Sequence, residues 1–90
     1  MPRAKIPVPD GMNIYYLSLT RGLYGCYVKF YAESEEVVRN HAAEYFGQIW
    51  GGIYTAAYFM EIIRKRYPSA SRIINDARPI VLTSPDGSWE

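Results

Sequence analysis

SEEVVRNHAAEYFG, residues 34 to 47, marks both ends of a helix in its own chemistry. Ser34 is placed to accept a bond from an orphan backbone N–H at a helix start, and Glu35 and Glu36 suit the positive end of the dipole. Gly47 can take the left-handed conformation that closes a helix. At about 100° per residue, Val38, Ala42 and Tyr45 share one side, with His41 and Phe46 on its flanks. Glu36, Arg39, Asn40, Ala43 and Glu44 fall mostly on the other side. The spacing therefore predicts a helix with one buried face and a chain built around it.

Working outward, Tyr15, Leu17 and Leu19 alternate with Ile14, Tyr16 and Ser18, which predicts a strand within Met12 to Thr20. Cys26, Val28 and Phe30 alternate in the same way with Tyr27, Lys29 and Tyr31, and the glycine-bearing stretch from Arg21 to Gly25 suits a hairpin between the two. Beyond the helix, Ile49, Trp50 and Ile53 interrupted by Gly51 and Gly52 predict a short or bulged strand. Thr55 is placed to cap a second helix with Ala56, Phe59, Ile62, Ile63 and the stem of Arg66 on one face, which Pro68 should end. Pro79 to Thr83 has the composition of a last strand. Arg72 to Asn75 is an apolar island that the pattern does not assign.

Pro9-Asp10-Gly11 and Pro85-Asp86-Gly87 read as turns. Residues 1 to 10, with Pro2, Pro7 and Pro9, read as an extended N-terminal arm, leaving residues 11 to 90 as a single α+β domain. The expected order is ββαβαβ, a small antiparallel or mixed sheet with two helices on one face. Leu17, Leu19, Val28, Phe30, Val38, Tyr45, Phe59, Ile62 and Ile63 would then share one core.

Ninety residues leave no room for a second domain. A net charge of +1 argues against a strongly electrostatic nucleic-acid binder. A single Cys excludes an internal disulfide and a Cys-based zinc site and suits a reducing cytoplasm. No apolar run is long enough for a membrane span, and no signal-peptide core precedes the domain. A soluble protein is expected.

The residues that could carry chemistry have simpler structural roles. His41, the only histidine, lies on the flank of an apolar helix face without the partner motifs of a metal or nucleophilic site, as a core histidine would. Cys26 shares strand parity with Val28 and Phe30, so a buried, inert thiol is expected. Glu33, Glu35 and Glu36 are what a helix dipole selects, and Gly51-Gly52 lacks the spacing and Lys of a phosphate loop. No catalytic residue, metal or cofactor is expected.

Two sets remain for binding. The second strand face, Tyr16, Tyr27, Lys29 and Tyr31, either presents rings to a partner or lies under a helix. Arg64, Lys65, Arg66 and Arg72 concentrate positive charge near the end of the second helix, where the dipole alone favours cations and where an anionic partner would also be held.

The segment YVKFYAESEEVVRNHAAEYFGQIWGGIY, Tyr27 to Tyr54, resembles small phage and prophage α+β accessory proteins, some of which are anti-CRISPR inhibitors. The resemblance implies a non-catalytic protein in the host cytoplasm that occupies a surface of a host protein or nucleoprotein complex. The alternative is direct nucleic-acid binding through the tyrosine face and the basic helix end. A small enzyme would have to use His41 or the Glu33 to Glu36 acids. The sequence leaves self-association into a homo-oligomer open.

Overall fold

The computed structural model describes residues 7–19, 25–47, 49–66, 72–75 and 77–83. Met12 N–H donates to the Pro9 carbonyl, with Gly11 at φ +80°, so the first turn forms as its sequence predicts. β1 (Asn13–Leu19) and β2 (Cys26–Ala32) then pair antiparallel, with Tyr16 opposite Lys29 and Leu17 opposite Val28. The alternation read from the sequence therefore holds on both strands.

The first helix has two parts, α1 (Glu35–His41) and a π-helical segment, Ala42–Phe46, closed by Gly47 at φ +56°. Ser34 sits at the N-cap with extended backbone, but its side chain makes no capping bond. Val37, Val38, His41 and Ala42 are buried, while Tyr45 is 50% exposed. The π segment accounts for that departure. Its bonds close on the fifth residue rather than the fourth, so the ring that returns toward the sheet after His41 is that of Phe46. Phe46 packs against the core that Tyr45 was expected to join.

β3 (Trp50–Thr55) pairs antiparallel with β1, and the register shifts between Ser18 and Leu19, which stand opposite Gly52 and Trp50. Gly51 is the extra residue of the bulge that the paired glycines predicted. Thr55 ends the strand and caps the second helix, its Oγ1 accepting from Tyr58 N–H at 3.2 Å. That helix comprises α2 (Ala56–Tyr58), a second π segment (Phe59–Ile63) and α3 (Arg64–Arg66). The same change of phase turns Ile62 outward, 40% exposed, while Phe59 is fully buried. Pro68, the expected stop, lies outside the described residues.

β4 (Arg72–Ile73) and β5 (Ile80–Val81) both pair parallel with β2, beside Cys26-Tyr27 and Phe30-Tyr31 respectively. They are two pieces of one edge, where a single last strand was expected. The result is a small α+β domain with a mixed five-stranded sheet.

The helices lie on opposite faces rather than the same one. β2 and β3 both run antiparallel to β1, so the first helix connects parallel strands across β1, and the second helix crosses back from β3 to β4. Right-handed crossovers that step in opposite directions across a sheet must use opposite faces. The core is accordingly split. Tyr15, Leu17, Leu19, Val28, Phe30 and Ala32 pack with Val37, Val38, Ala42 and Leu82 on one face. Tyr16 and Tyr27 pack with Phe59 on the other, edged by Ile14, Tyr54, Ala56, Ile63 and Ile73. Complete burial of side chains such as Leu17, Phe30 and Phe59 stabilises the fold by about 1.5 to 3 kcal/mol each.

Candidate functional site

The tyrosine face does not reach solvent. Tyr16 is 4% exposed, Tyr27 9%, Lys29 5% and Tyr31 2%. The parity that put them on the second face is correct, but the crossover rule brings the second helix down on that face. Phe59 stacks on Tyr16 at 4.2 Å between ring centroids and meets Tyr27 edge-on at 4.7 Å. The Lys29 ammonium lies 5.8 Å from the centre of the Tyr31 ring, two residues along the same face. Tyr16 and Tyr27 belong to the second core, and Lys29 and Tyr31 are buried beside them, so none of the four offers the exposed contact surface that was one of the two expectations for this face.

The basic set stays outside. Arg64, Lys65, Arg66 and Arg72 are all exposed. Lys65 pairs with Glu61 at 3.0 Å on the helix surface, and Arg64 Nη1 lies 3.8 Å from Met60 Sδ. The second helix leaves β3 beside Tyr15, and the chain returns to β2 at Cys26, opposite Arg72. The topology thus carries the last turn of the helix and Arg72 to the same end of the sheet. Cations there complement the carbonyl end of the helix dipole.

Sequence pattern alone did not reveal the apolar part of this surface. Tyr58, Met60 and Ile62 are 48%, 44% and 40% exposed on the second helix, immediately before the basic turn. The only signal for it was an excess of apolar residues, as Tyr58 to Ile63 holds more of them than one face can bury. Tyr58 also stacks on Tyr54 of β3 at 5.5 Å, nearly parallel. Near this ring an open groove of about 280 Å³ is lined by Glu35, Ile53, Tyr54, Thr55 and Tyr58. A larger groove, about 420 Å³, runs between Val8, Met12, Ile14 and Tyr15 and the start of the second helix at Ala56 and Ala57.

The chemistry-bearing side chains are dispersed. His41 is 1% exposed, with Phe30, Tyr45 and Phe46 around its ring at 4.6 to 5.8 Å. Cys26 is half-buried at the border of the first core, less enclosed than its parity implied, and pairs with Arg72 of the two-residue strand β4. Glu35 is held by Arg39 at 2.7 Å, an exposed i,i+4 pair. Among the described residues, no three His, Cys, Asp or Glu side chains gather as metal ligands, and no helix is long and apolar enough to cross a membrane. Comparison with protein-family models, curated proteins and solved structures finds no match to this chain.

Proposed function

We infer that the domain is a non-catalytic binding protein that occupies a surface of a host protein or nucleoprotein complex, using the outer side of the second helix from Tyr58 to Arg66. The observation that carries this reading is the exposure of Tyr58, Met60 and Ile62 directly before Arg64, Lys65 and Arg66. Ala56, Phe59 and Ile63 already seat the helix on the sheet, so folding does not require Tyr58 and Ile62 on one flank of that buried stripe or Met60 on the other to be apolar. Exposed apolar side chains followed by a basic turn fit a partner surface that is apolar against the helix and anionic beyond its end. The enclosed His41, the ion-paired Glu35 and the dispersal of the remaining acids support a binding role rather than catalysis. Occupying a host surface is also the mode of action implied by the resemblance of Tyr27 to Tyr54 to phage accessory proteins.

The test is a double substitution, Met60→Ser with Ile62→Ser, assayed against the protein captured from host-cell extract by the unsubstituted chain. Thermal stability should be nearly unchanged, and affinity should fall about tenfold or more if either side chain is a hot spot. Full binding by a folded double variant would refute the surface.

A second reading, direct nucleic-acid binding, rests on Arg64, Lys65, Arg66 and Arg72 standing exposed at one end of the sheet. It no longer includes the buried tyrosines. Four phosphate contacts would cost roughly a hundredfold in affinity between about 50 and 200 mM salt, a loss that fluorescence anisotropy with a labelled oligonucleotide would register. An apolar protein contact would change little over that range.

A further inference from the structure

β3 is an edge of the sheet, and among the described residues its one strand neighbour is β1. None of its six residues is fully buried, whereas β1 and β2 are buried along most of their length. Its sequence, WGGIYT, contains neither the charge nor the proline that usually protects an exposed edge. Among the described residues, only the bulge at Gly51 blunts it, which leaves Gly52 to Thr55 as a regular ladder. The smaller groove follows this ladder. Ile53, Tyr54 and Thr55 line it together with Glu35 from the first helix and Tyr58 from the second. Ile49, 37% exposed, lies just before the strand.

The geometry points to a second copy of this chain on that edge, with two β3 strands paired antiparallel about a two-fold axis and the sheet continuous through the dimer. An antiparallel edge is complementary to itself, because each strand offers both donors and acceptors along the seam. The strand itself carries no charge to repel its copy, and the carboxylate of Glu35 that borders the groove is paired with Arg39. Six residues at about 3.4 Å give a strip roughly 20 Å long. Taken as deep as the 23 Å short dimension of the molecule, the strip is about 450 Å² per copy, or about 900 Å² in all, small for a stable interface. The dimer is therefore weak and concentration-dependent. It goes beyond the binding reading, since it engages β3 and leaves Met60, Ile62 and the basic turn to another partner.

Sedimentation equilibrium of the full chain from about 1 μM to about 1 mM should show the mass rising from one copy to two. Over the same range, the seam-facing amides of Gly52 to Tyr54 should exchange with solvent about tenfold more slowly at high concentration. Gly51→Lys places a charge at an exposed edge position without a positive φ and should weaken dimerisation about tenfold or more. Met60→Ser with Ile62→Ser should leave the dimer intact, which separates this inference from the proposed function. A monomer at the highest concentration, or a dimer whose β3 amides exchange at the monomer rate, overturns the inference. So does protection of β3 that appears only when a host protein is added, which would assign the edge to a foreign strand. Should Gly51→Lys fail to fold, exchange in the unsubstituted chain decides.

Discussion

The side-chain amide of Asn75 stands in for a peptide group beside Lys29. Its Oδ1 accepts from Lys29 N–H at 2.6 Å, and its Nδ2 donates to the Lys29 carbonyl at 3.0 Å. On either side of this pair the edge carries main-chain bonds, Ile74 N–H to the Tyr27 carbonyl and Leu82 N–H to the Tyr31 carbonyl. One carboxamide thus splices β4 to β5 where the chain leaves the sheet. Asn75→Ala would strip a part-buried N–H and C=O of their partners and should cost about 1 to 3 kcal/mol. Asn75→Asp keeps an acceptor for the N–H but no donor for the carbonyl, and should recover only part of that. Denaturant midpoints equal to the parent's for both variants would show that the splice adds nothing.

Phe59 is fully buried between Tyr16 and Tyr27 and anchors the second helix. Phe59→Ala should cost roughly 3 to 5 kcal/mol, enough to unfold a marginal domain. Tyr27→Ser with Tyr31→Ser should also be severe, because both rings are core. A folded, fully stable Tyr27/Tyr31 double variant would return those rings to the surface.

The two helix starts should respond differently to loss of a hydroxyl. Thr55→Ala removes an observed capping bond and should cost about 0.5 to 2 kcal/mol. Ser34→Ala removes no such bond and should stay within about 0.5 kcal/mol of the parent in urea unfolding. The reverse ranking would mean that Ser34 caps its helix after all.

Gly47 ends the first helix at φ +56° and ψ −117°, a conformation that side chains avoid. A Cβ there would meet no heavy atom within 4 Å, so any penalty for Gly47→Ala comes from the backbone alone. That variant should lose about 1 to 3 kcal/mol in thermal unfolding. An unchanged midpoint would rule out the strained turn.

Strand parity, the antiparallel pairing of β1 with β2, the bulge at Gly51 and the cap at Thr55 were legible because each depends on neighbours close in sequence, while the connection expected at Arg21 to Gly25 lies mostly outside the described residues. The split core was not. Tyr16 and Tyr27 have the same alternation whether solvent or Phe59 lies above them, and only the order in which β3 and β4 join the sheet decides between these. Asn75 was hidden for a related reason, as its partner Lys29 lies 46 residues away. Of the candidate site, the basic turn could be read directly from Arg64, Lys65 and Arg66. The exposed apolar side chains beside it could not, because the π segment turns Ile62 away from the sheet, where a regular helix would have brought it.

That phase change also bears on how distant kin of this chain would align with it. A π turn fits one more residue between the same two anchor points than an α turn does. A descendant of the same ancestor with a regular helix between Val38 and Gly47 would be one residue shorter there, with its inward aromatic at the position aligned with Tyr45 or Phe46 according to where the gap is placed. The same holds between Thr55 and Arg66. A search that penalises single-residue gaps inside helices would score such kin poorly at both places, although the sheet and its two cores were unchanged.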